Sequence, residues 1–322
     1  MTSAPIPDVP LDVGSPSAVA AALEDRISGV VRGKTPAVRL ALVALLSGGH
    51  LLIEDVPGTG KTLLARTLAA VVGGRFQRVQ CTPDLLPSDL TGTTVFRANA
   101  DDWEFRPGPV FANVVLVDEI NRASPRTQAA LLEPMEEHQV TVDGRTHRLP
   151  DPFFCVATQN PLGQAGTFPL PESQLDRFAI VTTLGMPSRD AEREILTGVG
   201  GVPAMDDVTP VTTVAGLRAV RTAVRAVHCA GSVVDYVLDV AAATRADPQV
   251  EVGASPRAAL GLLHAARAHA TIVGRDFVSP DDVKAVTGPA LAHRIVLGGG
   301  IDVAAALGVL HRALLRVDAP AL

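Results

Sequence analysis

A phosphate-binding loop joins a buried strand to a helix in the first quarter of this chain. The apolar residues 51–53 precede Asp-Val-Pro-Gly-Thr-Gly-Lys-Thr at positions 55–62, and a stretch rich in leucine and alanine follows. Glycines let backbone N–H groups close around phosphate oxygens, while the final lysine and threonine reach phosphate and Mg²⁺. The sequence therefore predicts a strand–loop–helix unit of an α/β fold that carries a nucleotide site.

Lysine is rare in this chain, which has only three lysines among its 28 basic residues. One of them is Lys61, at the position where a compact ammonium group serves as a point charge for phosphate. Asp55 departs from the usual motif, which begins with glycine. The residues predicted to bind the nucleotide are Asp55, Val56, Pro57, Gly58, Thr59, Gly60, Lys61, Thr62 and Leu63.

An acidic pair ends a second buried strand. Residues 114–117 are a short apolar run, and Asp118 and Glu119 follow it. We expect Asp118 to hold a Mg²⁺ ion together with Thr62, and Glu119 to orient the water that attacks the γ-phosphate. The loop and the acids together predict an ATPase that uses Mg²⁺. A scaffold that binds nucleotide without hydrolysing it is a weaker alternative, because Lys61 and both acids are present.

Length and composition are typical of a two-domain enzyme. The 322 residues suggest two domains at about 150 residues each. Hydrophobic residues make up 47% of the chain and aromatic residues only 3%, so the core must be built from Ala, Val and Leu. No apolar run approaches the roughly 18 residues that a membrane span needs, and residues 1–25 lack a signal-like pattern. We therefore expect a cytoplasmic protein whose three scattered cysteines are reduced.

Turn-rich segments predict two hairpins inside the α/β domain. The first lies between residues 82 and 109, and the second spans residues 139–149 around the tight turn Asp143-Gly144. Between them, Ser124 and a following proline open a helix that should run to about Glu137. Three arginines on a later helix are interpreted as solvated or facing another subunit: Arg218, Arg221 and Arg225.

Five motifs between residues 50 and 180 resemble the MoxR family of AAA+ ATPases. They are Leu-Leu-Ile-Glu-Asp-Val-Pro-Gly-Thr-Gly-Lys-Thr (51–62), Val-Asp-Glu-Ile-Asn-Arg-Ala (117–123), Gln-Ala-Ala-Leu-Leu-Glu-Pro-Met-Glu-Glu (128–137), Ala-Thr-Gln-Asn-Pro (157–161) and Pro-Glu-Ser-Gln-Leu-Asp-Arg-Phe (171–178). The resemblance extends from about residue 15 to the end of the chain. It implies that Asp55 is ordinary for the family, and that the two hairpins correspond to a helix-2 insert and a pre-sensor-1 hairpin.

The resemblance also implies a fold class and its boundaries. We expect a P-loop AAA+ three-layer αβα domain with a parallel sheet, followed by a smaller all-helical lid, with the nucleotide between the two. The predicted segments are a flexible tail (1–16), the ATPase domain (17–187), a linker (188–204) and the helical lid (205–322).

Two residues of the α/β domain acquire roles from the resemblance. Asn160 follows the next core strand and resembles the sensor-1 residue, a neutral amide within reach of the γ-phosphate; an ordinary turn is the alternative. Arg177 resembles the arginine finger, which reaches into a neighbouring subunit's site and is worth roughly 10³ to 10⁵ in rate. A salt bridge of Arg177 with Asp176 or Glu172 is its alternative.

Arg257 is the candidate nucleotide-binding residue of the lid. It follows a serine N-cap and a first-turn proline, so a cation lies at the positive end of a helix. A nearby phosphate would make that placement favourable, and the position resembles the sensor-2 arginine. An exposed arginine that tolerates a small penalty is the alternative.

The resemblance implies a ring-forming homo-oligomer, a hexamer, that acts as a chaperone-like remodeller or activator of partner proteins, often ones with a von Willebrand factor A domain. The alternatives are a helix-2-insert motor that acts on nucleic acid and a chelatase-type subunit. A net charge of −6 and a pI near 5.7 argue against nucleic acid. Arg145, His147 and Arg148 could still form a local basic patch on the second hairpin.

Overall fold

Strands and helices alternate through the first part of the chain. The computed structural model describes residues 14–99, 101–160, 166–197 and 208–321. Its elements up to residue 197 are α1 (Pro16–Val30), α2 (Thr35–Ser47), β1 (Leu51–Glu54), α3 (Lys61–Val71), β2 (Phe76–Gln80), α4 (Pro87–Thr91), β3 (Gly92–Arg97), β4 (Asp102–Pro107), β5 (Val114–Asp118), α5 (Pro125–Ala129), α6 (Leu132–Glu137), β6 (Gln139–Val142), β7 (Arg145–Arg148), β8 (Phe154–Gln159), α7 (Glu172–Leu175), β9 (Ile180–Thr182) and α8 (Arg189–Thr197).

The lid follows from residue 208 onward. It contains α9 (Val214–Arg225), α10 (Gly231–Arg245), β10 (Val250–Val252), α11 (Pro256–Ile272), α12 (Pro280–Leu291), β11 (Val296–Leu297) and α13 (Val303–Arg316). The lid is helical, as predicted, with the addition of a short antiparallel ribbon formed by β10 and β11.

The central sheet has five parallel strands in the order β2-β5-β8-β1-β9. Side chains alternate between its two faces because the strand repeat is two residues. Leu51 and Ile53 of β1 join one buried cluster, whereas Leu52 between them joins the other, and β5 and β8 alternate in the same way. The first cluster includes α1, α2, α3 and the lid helices, and the second includes α6 and α7. The predicted three-layer α/β domain is confirmed.

Both predicted hairpins form. Strands β3 and β4 pair antiparallel, as do β6 and β7. Asp143 and Gly144 have φ angles of 49° and 74°, the left-handed pair that closes a two-residue hairpin turn. The hairpins contact each other, because the rings of Phe105 and His147 stack with centroids 3.8 Å apart.

The helix predicted from Ser124 to about Glu137 is interrupted. The helix that opens at Pro125 ends at Ala129 and a second one begins at Leu132. Pro134 has no N–H and its ring crowds the carbonyl of residue 130, so the continuous helix is interrupted before this residue. Helix α1 already begins at Pro16 with Ser15 as its N-cap, and α8 occupies part of the expected linker. Residues 1–13 and 198–204 of the expected tail and linker lie outside the described residues.

Arg221 is also not solvated. Its side chain is buried, and Nε donates a 2.7 Å hydrogen bond to the carbonyl of Leu45 at the end of α2. Burial lowers the pKa of Arg221 to about 10. Within the described ranges, each helix is too short or too polar to cross a membrane.

Candidate functional site

The phosphate loop connects β1 to α3 through two glycines in left-handed conformation. Gly58 and Gly60 have φ angles of 87° and 97°, and a Cβ at either position would meet open space. Their requirement for glycine is therefore conformational rather than steric. Gly60 is the N-cap of α3, which begins at Lys61, so the first amide groups of the helix point into the space above the loop.

A cavity of about 400 Å³ lies above this loop, at the carboxyl ends of β1, β5 and β8. We call it the phosphate-loop cavity. Its lining residues are Asp55, Pro57, Gly58, Gly60, Lys61, Thr62, Leu63, Arg78, Gln80, Asp118, Glu119, Thr158, Gln159 and Asn160. The structure thus brings the predicted loop, both acids and Asn160 together around one space, which is where ligands bind in parallel α/β sheets.

Lys61 is held by the loop that precedes it. Its ammonium group donates 2.7 Å hydrogen bonds to the carbonyl oxygens of Asp55 and Val56. Burial lowers the pKa of Lys61, and the negative charges of Asp55, Asp118 and Glu119 work in the opposite direction. The three carboxylates thus offset part of the effect of burial on this ammonium group.

Asp55 braces the loop rather than facing a phosphate. One carboxylate oxygen accepts from the amide of Val56 at 2.8 Å, and the other accepts from the amides of Leu184 and Gly185 at 2.9 and 2.7 Å. An aspartate replaces the usual glycine here because its carboxylate ties the loop to the chain that follows β9. Val56 and Thr59 are not in the cavity lining; the Val56 carbonyl accepts from Lys61 and from the Thr59 hydroxyl.

The acidic pair is oriented by a buried threonine of the adjacent strand. The Thr158 hydroxyl donates a 2.6 Å hydrogen bond to Asp118 Oδ1 and accepts one of 2.9 Å from the amide of Glu119. Glu119 has a φ angle of 56°, a left-handed conformation that is rare outside glycine and that clusters at functional sites. Sequence reasoning missed Thr158, although a hydroxyl in the apolar strand β8 is a signal that could have identified it.

Two arginines pair with these acids. Arg78 Nη2 lies 2.6 Å from Asp118 Oδ2, and Arg122 Nη1 lies 3.0 Å from Glu119 Oε2. Arg78 belongs to β2 and lines the cavity, so it adds a second cation to the site beside Lys61. Arg122 belongs to the motif at 117–123, but the sequence predicts no role for either arginine. Their pairing depends on neighbouring structural elements and on a turn whose geometry the sequence does not reveal.

Arg177 and Arg257 lie together elsewhere. Both line a second cavity of about 340 Å³, which we call the arginine cavity and which, among the described residues, has no lining residue in common with the phosphate-loop cavity. Both pair with the Glu136 carboxylate, Arg257 Nη1 at a distance of 2.8 Å. The expected alternative partner of Arg177 was Asp176 or Glu172; Asp176 instead pairs with Arg257 and Arg294.

This arrangement changes the expected relation between lid and nucleotide. Burial and the nearby charge of Arg257 lower the pKa of Arg177, because two guanidinium groups converge on one carboxylate. Within the part of the chain that the structure describes, the phosphate-loop cavity is lined by the α/β domain alone. The residues predicted to form one nucleotide site between the two domains therefore lie in two separate cavities, the loop and the acids in one and the arginines in the other.

The fold and the site define an AAA+ ATPase, and comparison with known proteins agrees. Residues 50–180 match the model of the ATPase family associated with various cellular activities (AAA), and residues 242–314 match that of an AAA lid domain. Over 273 residues the chain is 45% identical to protein YeaC of Bacillus subtilis, with 85% of each chain covered. Over 280 residues it is 44% identical to Chaperone MoxR1 of Mycobacterium tuberculosis, with 84% of this chain and 74% of the relative covered.

A crystal structure of a protein from Cytophaga hutchinsonii that is assigned as an ATPase matches with a TM-score of 0.86 at 35% identity, covering 95% of this chain and 96% of that one. The chain belongs to the MoxR family of AAA+ ATPases.

We predict that Thr158→Val lowers the ATPase rate about 10- to 100-fold, the scale of one buried hydrogen bond worth roughly 1–3 kcal/mol. Valine keeps the shape but removes the hydroxyl that connects Asp118 to Glu119. Thr158→Ser is the matched control, since it keeps the hydroxyl and should retain most of the rate. Steady-state phosphate release measures both, and equal rates in the valine and serine variants would contradict the role of the hydroxyl.

Proposed function

We propose that this chain forms a ring in which ATP is hydrolysed between neighbouring subunits, and that the hydrolysis remodels or activates partner proteins. The observation that supports this proposal is the division of the candidate site. The loop with Lys61 and the acids lies in one cavity, whereas Arg177 and Arg257 lie in another. A second copy of the chain can bring its arginines to the phosphates that the first copy binds.

Within one subunit, the residues of the phosphate-loop cavity divide the work. Lys61 and the amides at the start of α3 would hold the phosphates. Thr62 and Asp118 supply hard oxygen ligands in the same cavity, which fits Mg²⁺. When bound, Mg²⁺ would neutralise charge on the phosphates. Arg78 occupies one oxygen of Asp118, and its side chain is 46% exposed, so it has room to turn toward a phosphate.

Glu119 and Asn160 would act on the attacking water. Glu119 lies at the end of β5 with its backbone fixed by Thr158, so its carboxylate has a defined position as the base that orients and polarises water. Asn160 lines the same cavity and offers an amide toward the γ-phosphate. Its backbone carbonyl accepts a 3.2 Å hydrogen bond from Asn121, which attaches the turn to the segment that follows Glu119.

The arginine cavity would act on the neighbouring subunit. Arg177 and Arg257 both pair with the carboxylate of Glu136, a single anionic group. A γ-phosphate has the same charge character as that carboxylate and offers more acceptor oxygens, so it can replace Glu136 as their partner when two subunits meet. In this view Arg177 is the finger and Arg257 the sensor-2 residue, and both act across the subunit interface.

The finer features of the assembly follow from family resemblance. We propose a hexamer, with an ATPase domain over residues 17–187, a connecting segment over 188–204 and a lid over 205–322. The relative named Chaperone MoxR1 supports a chaperone-like role. The partner class that fits is a protein that carries a von Willebrand factor A domain.

The main alternative is a motor that acts on nucleic acid. Its basic patch is smaller than the sequence suggests, since the ring of His147 stacks on Phe105 and Arg145 and Arg148 remain as the exposed cations of that strand. The whole chain has a net charge of −6, and two exposed arginines are a small basic surface for binding a polyanion, so a protein substrate is favoured.

The partner can be captured with the hydrolysis-deficient variant. We predict that Glu119→Gln binds ATP and hydrolyses it at least about 10²-fold more slowly, since it lacks the general base. With ATP it should retain a partner protein in pull-downs from cells, identified by mass spectrometry. Lys61→Ala is the matched control, because it should not bind ATP and should not retain the partner. Rapid hydrolysis by Glu119→Gln, or nucleic acid as the retained species, would contradict the proposal.

The interface assignment predicts complementation between two inactive variants. Arg177→Ala should bind ATP but not hydrolyse it, because its own loop is intact and the finger it offers to its neighbour is missing. Mixed with Lys61→Ala subunits, it should recover part of the ATPase rate, since some interfaces then pair a sound loop with a sound arginine. Phosphate release across a range of mixing ratios is the measurement, with subunit exchange followed by fluorescence energy transfer. Inactivity at every ratio despite exchange would refute a finger that acts in trans.

A further inference from the structure

The lid forms hydrogen bonds with the segment that carries Arg177. Residues 176–178, which we call the finger segment, connect α7 to the start of β9. On one side this connection joins the sheet, since the amide of Ala179 donates a 2.9 Å hydrogen bond to the carbonyl of His50, just before β1. On the other side it meets His293 and Arg294, two residues of the single 3₁₀ turn that follows α12.

Arg294 bridges the two carbonyls that flank Arg177. Its Nη2 atom donates 3.0 Å hydrogen bonds to the backbone oxygens of Asp176 and Phe178, the residues directly before and after Arg177. Its Nε atom lies 3.1 Å from the Asp176 carboxylate. One guanidinium group thus contacts the carbonyls of both residues that flank Arg177 and also the Asp176 carboxylate. The planar fork of arginine allows this arrangement, and a lysine cannot reproduce it.

His293 adds another hydrogen bond from the lid to the finger segment. Its ring is buried, and Nε2 lies 2.9 Å from the same Phe178 carbonyl. Burial and the adjacent charge of Arg294 lower the pKa of His293 to about 3, so the ring is neutral. Nε2 must then carry the hydrogen that is donated to Phe178. The lid therefore contributes two donors to one carbonyl of the finger segment.

The position of Arg294 is fixed by its surroundings. Its side chain is only 7% exposed, and Nη1 donates to the carbonyl of Ala290 at the end of α12 at 3.3 Å. It passes over α11 at Gly261, where an added Cβ would lie 2.8 Å from Nη1. Gly261 is one helical turn after Arg257. A nearly buried cation needs a nearby anion, and Asp176 supplies it.

We propose that Arg294 is a positioning residue for the arginine finger: it ties the finger segment to the lid, so that Arg177 reaches the neighbouring subunit's phosphate in the geometry that hydrolysis requires. The proposal rests on the proposed function, in which Arg177 acts in trans. Arg294 itself touches neither nucleotide nor water. A misplacement of about 1 Å in a group that orients a reaction can cost on the order of 10²-fold in rate. Loss of the Arg294 contacts should therefore slow hydrolysis and leave ATP binding unchanged.

The first test separates kcat from KM. Arg294→Gln should lower kcat about 10- to 100-fold. KM and the affinity for a fluorescent ATP analogue should stay within about threefold of wild type, because the phosphate-loop cavity is intact. Arg294→Lys keeps the charge beside Asp176 but lacks the planar fork, so its kcat should lie between those of wild type and Arg294→Gln.

Arg312→Gln is the matched control: Arg312 also binds a buried aspartate, Asp247, but does so within the lid and away from the finger segment. Its kcat should be near that of wild type.

The second test asks in which subunit the defect acts. Arg294→Gln subunits have a sound ATP site and a misplaced finger, whereas Glu119→Gln subunits have a sound finger and an ATP site without the general base. In mixed rings some Arg294→Gln sites receive a sound finger, so the ATPase rate per Arg294→Gln subunit should rise toward the wild-type value. Arg177→Ala mixed with Glu119→Gln is the positive control. A lid that merely unfolds would lower the thermal unfolding temperature and show no such rise.

The outcomes distinguish this inference from the proposed function. Wild-type kcat in folded Arg294→Gln, or a defect that mixing does not relieve, would overturn the positioning role while Arg177 complementation still stood. Full activity of Arg177→Ala would overturn both, since no finger would remain to position. If Arg294→Gln does not fold, Arg294→Lys decides: a reduced kcat that mixing restores supports the role, and a wild-type kcat overturns it.

Discussion

The parallel register of β1, β5 and β8 is the constraint on which the rest of this structure depends. Glu54 pairs with Gln159 and Val117 with Ala157, so all three strands end at the same edge of the sheet. The loop after β1, the acids at the end of β5 and the turn after β8 must then lie within one cavity. A change of register on one strand would separate the ammonium group, the carboxylates and the amide that ATP hydrolysis requires together.

Charge is distributed unequally between the two cavities. The phosphate-loop cavity combines two cations, Lys61 and Arg78, with three acids, Asp55, Asp118 and Glu119. Asp118 and Glu119 each pair with an arginine. The arginine cavity gathers Arg177, Arg257 and Arg294 around two carboxylates, Glu136 and Asp176. Glu137 is a third acid of the lining, so the charges of the cavity balance, yet Arg177 and Arg257 still share the one carboxylate of Glu136. This sharing of one carboxylate by two guanidinium groups is the reason for placing the cavity opposite a bound phosphate of another subunit.

The local parts of the site could be predicted from the sequence, because each is a short motif whose geometry follows from its own residues. The glycines of the loop, Lys61 and the acidic pair belong to this group, and so do both hairpins, whose turns depend on a few adjacent residues. Thr158 and Arg294 could not be found in this way, since each acquires its function from a contact with a distant part of the chain. Asp55 was recognised as unusual, but its bonds to the backbone after β9 exist only in the folded protein.

Two arginines show that the helix signals in a sequence do not locate a side chain in the fold. Arg221 has helical spacing typical of an exposed stripe, yet it is buried because it satisfies a carbonyl at the end of α2. Arg257 has the local signature of a phosphate-binding helix start, and the structure places it beside Arg177 rather than above the loop. Propensity and capping describe a helix correctly, but they do not determine which cavity its first turn faces.

The central claim is that one ATP site is shared between two subunits, and a cryo-electron microscopy structure of Glu119→Gln with ATP tests it most directly. The account predicts a ring in which Arg177 and Arg257 of one subunit have left Glu136 and contact the γ-phosphate held by the next subunit's Lys61. ATP bound above the loop while both arginines remain on Glu136 of their own chain, with no neighbouring residue at the γ-phosphate, would contradict it.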